Sequence, residues 1–223
     1  MKTGKGHEHD RCISNLEALL STAERQLLSG LDGPANIQSY LNSLSYSEDK
    51  FYRCPLRVLR DRKGHCFDGA LFAAMALRRI GHPARMLELI PNERDDDHLL
   101  ALFKQNGCWG AVAQSNFSGL RYREPVFRNL RELVMSYFED FFNAAGEKTL
   151  RGYRGPINLS SFDQLDWTFS DAGMDTLAEG MDRYRIQPIL SDGMAASLAL
   201  VDERSLKAGL MGANPAGLFM VSG

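Results

Sequence analysis

Paired cysteines, long apolar runs and net charge are all scarce in this chain of 223 residues. Its four cysteines form no Cys-x-x-Cys pair, which disfavours an oxidoreductase. No segment approaches the roughly 20 apolar residues of a membrane span, and a net charge of −2 gives no long-range attraction to nucleic acid. We therefore expect no membrane and no nucleic-acid partner.

We also expect no secretory signal, because polar residues follow Met1. Residues 1–10 are predicted to form a flexible leader, and the expected location is the cytoplasm. Thiols stay reduced there, so each cysteine is expected to be catalytic or part of the core rather than half of a disulfide. No calcium-loop pattern surrounds the acidic run 95–97, and we expect neither a metal nor a cofactor.

What is present is an ordinary globular composition, 44% hydrophobic and 24% charged. Apolar residues at helical spacing predict an N-terminal helical segment over 11–50, with helices at 12–28 and 37–44. A mixed core with a following helix is expected over 51–146. Residues 147–223 are expected to form a C-terminal extension packed on that core, within one domain overall.

The centre of the chain carries the clearest secondary-structure signals. An alanine-rich helix begins at Cys66, ends in basic residues and is followed by Gly81, which suits a left-handed cap. The pair Asn106-Gly107 predicts a tight hairpin turn. Strands are predicted before the turn and on either side of it, at Arg85–Ile90, His98–Phe103 and Cys108–Ala113.

Weaker signals follow in the C-terminal half. Pro125 is predicted to start a long helix that ends before Gly146. Residues 147–166 are rich in turn formers, and Thr176–Tyr184 predicts a modest helix. At most one short strand is predicted there, at Ser197–Val201.

Cys66 is the most informative single residue. A cysteine at a helix N-terminus lies in the positive end of the helix dipole, which favours thiolate over thiol, so we expect a lowered pKa. His98, delivered from a nearby strand, can take the thiol proton. A lone cysteine is more often a small core residue, but the helix start and the histidine together favour a catalytic pair.

The order of these motifs resembles the transglutaminase-like superfamily, in a form of bacterial type, over roughly residues 52–118. The resemblance implies an α+β fold, in which a nucleophile helix packs on an antiparallel sheet in a papain-like manner. It also implies a cysteine–histidine dyad with a third orienting residue, and acyl transfer on amides. The matching residues are Gly64-His65-Cys66, Ala70, Gly81-x-Pro83-Ala84-Arg85, Asp97-His98 and Trp109.

The third residue departs from the family pattern. Counted from Trp109, the family's aspartate falls on or near Ala113, which cannot orient an imidazole. Papain-like proteases use an asparagine in this role, so Asn116 is the first candidate and Gln114 the second. An amide fixes the tautomer without a charge, so slower chemistry is expected than with a carboxylate.

The register of the hairpin places the orienting residue at positions 114–116 but does not distinguish among these three. If Asn106-Gly107 is the loop, Gln105 faces Cys108 and His98 faces Ser115, with Gln114 and Asn116 one residue away. A bulge after Ala113 would bring Asn116 to the imidazole.

Substrate contacts are predicted from aromatic and basic residues around the motif. Arg121 and Arg123 follow Asn116, and a guanidinium fork suits a substrate carboxylate. The backbone N–H of Cys66 is expected to supply one oxyanion donor. Tyr52 or Tyr46, from the preceding segment, is a candidate for the second donor, and Trp109 is counted with the substrate-binding residues.

These residues predict a cysteine enzyme that hydrolyses an amide bond, of peptide or isopeptide type, through a thioester on Cys66. Hydrolysis is favoured over transfer because no dedicated amine site is evident. The expected partner is an amide- or peptide-containing substrate, and no oligomeric state is predicted. The alternative is a catalytically weak or inactive transglutaminase-like domain that acts in binding or scaffolding, which the missing aspartate keeps open.

Overall fold

The computed structural model describes residues 10–219, so residues 1–9 of the predicted leader lie outside it. A six-stranded sheet in the order β6-β5-β4-β3-β7-β8 forms the centre, and a parallel pair, β1–β2, stands apart from it. The strands are β1 (Ser45–Tyr46), β2 (Lys63–Gly64), β3 (Arg85–Pro91), β4 (His98–Gln105), β5 (Cys108–Val112), β6 (Arg123–Phe127), β7 (Leu150–Asn158) and β8 (Gln187–Pro188). The helices are α1 (Arg11–Leu19), α2 (Thr22–Ser29), α3 (Pro34–Asn42), α4 (Pro55–Asp61), α5 (Cys66–Arg79), α6 (Leu130–Met135), α7 (Met174–Met181), α8 (Asp192–Ala196) and α9 (Glu203–Gly209).

The fold is α+β, as predicted, and its antiparallel sheet is buried on both faces. Successive residues of a strand point to opposite faces, and β4 shows the consequence. Leu99 and Phe103 join the core formed with the N-terminal helices, whereas Leu100 and Leu102 join a second core with α6 and the residues after it. Burial on both faces explains why β4 is a continuous apolar run instead of an alternating one.

Helix α5 begins at Cys66 and runs through the first core, as the sequence predicts. Its residues from Phe67 to Leu77 are all buried. Gly81, just beyond the helix, has φ +93°, a left-handed conformation that glycine adopts without strain. Gly69 lies where α5 packs on the chain just after β5, because an added Cβ there would lie 2.1 Å from Cβ of Gln114.

The hairpin between β4 and β5 has the predicted register. Gln105 pairs with Cys108, and Ala101 pairs with Val112. Asn106 and Gly107 both have positive φ, 52° and 81°, which is the geometry of a type I′ turn. Regular pairing stops at Val112, so the chain leaves the sheet before it reaches the residues opposite His98.

Two predicted helices are interrupted. The helix predicted at 12–28 is divided because Ser21 forms a capping box with Glu24 and starts α2. The long helix predicted from Pro125 is wrong. Pro125 instead lies in the strand β6, and Asn129 caps the short α6 by accepting from the Glu132 N–H.

Two strand predictions also fail. Residues 150–158, predicted to be turn-rich, form β7, which lies beside β3 inside the sheet. Gly155 stands at φ +131° where the pairing with β3 shifts between Met86 and Glu88, so its glycine and proline mark an irregularity within a strand. The strand predicted at Ser197–Val201 does not form; these residues follow α8.

Candidate active site

Cys66 lies beside the hydroxyl group of Tyr46. The parallel pairing of β1 with β2 sets Tyr46 opposite Gly64, two residues before the cysteine. The hydroxyl group lies next to both the thiol and the backbone N–H of Cys66. Because the first N–H groups of a helix have no partner within the helix, this corner can supply two donors to one oxygen atom.

The pKa of the Cys66 thiol is raised well above its ordinary value, which makes the predicted lowering wrong. Burial of the thiol is the largest cause, and the nearby carboxylates of Asp97, Asp96 and Asp68 act in the same direction. A hydrogen bond from the Phe67 N–H opposes them. The helix dipole is therefore outweighed, and the resting group is a neutral thiol, which donates to the backbone oxygen of Asp97 at 3.9 Å.

His98 is the first residue of β4 and is only 4% exposed. Its Nε2 lies 2.7 Å from the carbonyl oxygen of Leu120. A carbonyl oxygen can only accept, so Nε2 carries the proton and Nδ1 of the neutral ring is unprotonated. Burial lowers the pKa of His98 to about 4; the bond to Leu120 opposes this shift, and the charge of Arg123 adds to it. His98 is therefore a neutral base near pH 7.

Cys66 and His98 face one small cavity of about 60 Å³, here called the inner cavity. Each residue comes from a different element, the start of α5 and the start of β4. Within residues 10–219 no hydrogen bond joins the two side chains, and the thiol turns toward Asp97. The inner cavity is lined by Tyr46, Cys66, Asp95, Asp96, Asp97, His98, Ser115, Asn116, Phe117, Leu120, Phe141, Phe142, Ala144, Gly217 and Phe219.

The structure does not bring Asn116 to the imidazole as predicted. Its Nδ2 donates to the backbone oxygen of Asn214 at 2.8 Å, and its Oδ1 accepts from the Asn214 N–H at 2.7 Å. Gln114 packs on Gly69 of α5, and the Ser115 hydroxyl accepts from the Phe117 N–H at 3.1 Å. The partner of His98 is thus a backbone carbonyl, which no side-chain pattern in the sequence could have indicated.

The loop that presents this carbonyl is held from several sides. Arg121 donates to the backbone oxygen of Ser115 at 3.2 Å. The Tyr137 hydroxyl donates to the backbone oxygen of Arg121 at 2.8 Å. These bonds fix the chain on both sides of Leu120, so its carbonyl is a rigid acceptor.

A larger cleft of about 1180 Å³, the outer cleft, opens beside Cys66. Eight carboxylate side chains and one lysine stand among its lining residues. A cleft of this charge does not suit a substrate carboxylate. The acidic and basic lining residues are Glu48, Asp49, Lys50, Glu88, Asp96, Asp97, Asp175, Glu179 and Asp182.

The predicted substrate contacts separate into two groups. Tyr52 lines the outer cleft and packs on Phe67, with ring centroids 4.4 Å apart. Trp109 belongs to the second core, on the far face of the sheet. Arg123 donates to Asp140 and to backbone oxygens, and its guanidinium carbon lies 3.9 Å from the ring centroid of Tyr137. Neither Trp109, Arg121 nor Arg123 lines the cavities, so the predicted guanidinium contact with substrate finds no support.

In the part of the chain that the structure describes, no three histidine, cysteine or acidic side chains are grouped so as to hold a metal ion. No helix among residues 10–219 has the length and apolar character needed to cross a bilayer.

Comparison with known proteins shows what the chain is similar to. Residues 21–118 match the family model of the Transglutaminase-like superfamily, which confirms the predicted resemblance. This likeness covers less than half of the chain. Legionella pneumophila LapG is 16% identical over 47% of this chain and 68% of its own, with a TM-score of 0.35. EGTA-treated LapG of the same organism is 15% identical over 47% of this chain and 68% of its own, with a TM-score of 0.34. No curated protein matches the chain.

Proposed function

We propose that this protein is a cysteine-dependent acyl-transfer enzyme that hydrolyses an amide bond, of peptide or isopeptide type, through Cys66 and His98. The observation that carries the proposal is the inner cavity, where the thiol and an imidazole with an unprotonated Nδ1 both contribute to the lining. The transglutaminase-like match over residues 21–118 supports the same chemistry.

The proposed reaction starts from a neutral thiol and a neutral imidazole. Nδ1 of His98 takes the thiol proton as Sγ of Cys66 bonds to the substrate carbonyl carbon. The carbonyl oxygen becomes an oxyanion, which the Cys66 N–H and the Tyr46 hydroxyl stabilise. Burial raises the pKa of Tyr46 above its ordinary value, so the hydroxyl keeps its proton and donates.

The imidazolium then returns its proton to the substrate nitrogen as the carbon–nitrogen bond breaks, and an amine leaves. A thioester remains on Cys66. Water resolves it: Nδ1 takes a proton from the water, the oxygen bonds to the acyl carbon, and the carbon–sulfur bond breaks to restore the thiol. Water fits the inner cavity of about 60 Å³, and it is the acceptor that we propose for the thioester.

The charge of the outer cleft indicates which class of peptide substrate would bind. Its carboxylates favour a neutral or cationic peptide over an acidic one. A panel of peptide amides with neutral, basic and acidic flanks tests the proposal on the wild type, Cys66→Ala and His98→Ala. We expect turnover by the wild type alone, with an acyl-enzyme adduct detected by mass spectrometry. Turnover that persists in Cys66→Ala would refute the role of the thiol.

A binding or scaffolding role is the second candidate. It is favoured by the carboxylates that raise the pKa of Cys66, since they disfavour the thiolate. Under this alternative, Cys66→Ala would bind the same peptides with unchanged affinity and the wild type would release no amine.

A further inference from the structure

The chain's own segment Asn214–Phe219 forms part of the wall of the candidate active site. Gly217 and Phe219 line both the inner cavity and the outer cleft, and Ala216 and Leu218 line the outer cleft. Cys66 lies where these two spaces meet, since it lines both. The segment therefore forms part of the wall at the junction of the two spaces, beside the approach to the thiol.

Asn214 fastens the segment at one end. Besides its two backbone bonds to Asn116, its Nδ2 donates to the backbone oxygen of Tyr46 at 3.1 Å and to Glu48 at 3.2 Å. The segment Asn-Pro-Ala-Gly-Leu-Phe has no charged side chain. It is thus held in an acidic cleft by a few polar bonds at its start and by apolar contact beyond them, which is a reversible form of attachment.

Gly217 fits against Tyr46 only because it has no side chain. A Cβ at this position would lie 2.9 Å from Cδ1 and 3.1 Å from Cε1 of the Tyr46 ring, and 3.4 Å from the backbone oxygen of Ser47. Contacts under about 3 Å force a neighbour to shift. The Tyr46 ring cannot shift freely, because its hydroxyl is buried beside Cys66.

We propose that the segment Asn214–Phe219 occupies the substrate cleft as an intramolecular competitor, and that the Tyr46 surface is a glycine-selective subsite for a peptide. The use of the word "substrate" rests on the function proposed above. The part of the proposal in which the segment shields Cys66 does not depend on that function. A peptide substrate must displace the segment and must present glycine where Gly217 lies. Exposure of Cys66 to water on displacement would also relieve the burial that raises its pKa.

The test uses the full chain with two glycine substitutions. Gly217→Leu forces the segment off Tyr46, and Gly193→Leu is the matched control, because nothing lies within 4 Å of a Cβ at Gly193. Asn116→Ala is a second way to release the segment that adds no bulk. Circular dichroism and thermal unfolding confirm that each variant is folded.

The first readout is the rate at which iodoacetamide modifies Cys66, followed by peptide mass spectrometry. A segment seated about nine-tenths of the time slows modification about tenfold, so we expect that acceleration in Gly217→Leu and Asn116→Ala and none in Gly193→Leu. Equal rates in all four proteins would overturn the proposal.

The second readout is competition by a synthetic peptide of residues 213–219. We expect it to restore slow modification of Cys66 in Gly217→Leu, and we expect the same peptide with leucine at the Gly217 position to have no effect. If both peptides protect equally, the glycine subsite is refuted.

Amide hydrolysis separates this proposal from the proposed function. Accelerated modification without turnover by any variant would support coverage by the segment and refute the enzyme. Turnover that is equal in the wild type and Gly217→Leu would support the enzyme and overturn the competitor.

Discussion

The Nε2 atom of His98 lies 2.7 Å from the carbonyl oxygen of Leu120, and this contact assigns the proton of the buried imidazole. It performs the task that an aspartate or asparagine side chain was expected to perform, because it fixes the tautomer and the direction of the ring. A carbonyl carries no full charge, so it stabilises the imidazolium less than a carboxylate would. Burial of the ring therefore outweighs this bond and lowers the pKa of His98 to about 4.

This low pKa predicts an unusually acidic limb in the pH profile. Protonation of Nδ1 removes the base, and it occurs only as the pH falls through about 4. We expect kcat/KM for a peptide amide to hold from neutral pH down to about pH 5 and to fall below that. The ring signals of His98 in a proton NMR titration provide an independent measurement. A limb near the ordinary histidine value of about 6.5 would contradict the assignment.

The environment of Cys66 predicts slow alkylation at neutral pH. Only the thiolate reacts, and burial together with Asp97, Asp96 and Asp68 raises the pKa of the thiol. We expect the rate with iodoacetamide to keep rising beyond about pH 9 instead of levelling near neutrality.

Substitution of one carboxylate near Cys66 tests the cause of the raised pKa of the thiol. Burial raises the pKa of Asp97 well above its ordinary value, so the substitution is made at Asp96, the next cause of the shift at Cys66. Asp96→Asn removes a negative charge near the sulfur and should lower the pKa of the thiol, so the rate at pH 7 should rise. Asp175→Asn is the matched change, because Asp175 lines the outer cleft but is not among the main causes of the shift of the Cys66 pKa. Equal acceleration by both substitutions would point to a general change of cleft charge.

Local signals explain what the sequence predicted well. The start of α5 at Cys66, the left-handed Gly81 and the register through Asn106-Gly107 each depend on residues close together in the chain. Strand β7 was missed because glycine and proline there indicate turns, and only its neighbour β3 makes the strand stable.

The site shows the same limit. Cys66 and His98 have side chains whose chemistry is visible in the sequence, whereas Leu120 acts through its backbone. The sequence predicts Asn116 as the orienting residue because of its amide. That amide instead binds the backbone of Asn214, which is 98 residues away in the chain. Contacts at that distance follow from the tertiary structure and leave no pattern in a single sequence.

Asn116→Ala tests whether the amide has any role toward the imidazole. Both amide atoms of Asn116 bind Asn214, so we expect the pKa of His98, measured by NMR, to be the same in this variant as in Gly217→Leu, which displaces the same segment and keeps the amide. Ser115→Ala is the control for loosening the same loop, since its hydroxyl accepts from the Phe117 N–H. A shift of the His98 pKa in Asn116→Ala alone would return Asn116 to the orienting role first predicted for it.

Gly69→Ala tests the contact that sets α5 against the end of β5. An added Cβ would lie 2.1 Å from Cβ of Gln114, and neither atom can move without its backbone. Overpacking of this kind costs about 1–3 kcal/mol, so we expect the free energy of unfolding in urea to fall by that amount. Gly193→Ala is the matched control, because nothing lies within 4 Å of the new methyl group. Replacing a glycine inside a helix by alanine stabilises a protein by about 0.5–1 kcal/mol, so this variant should not lose stability.

Gln114→Gly removes the opposing Cβ, so it should recover most of the loss when combined with Gly69→Ala. A double variant that is as unstable as the sum of the two single variants would show that the helix and the strand end are not in contact there.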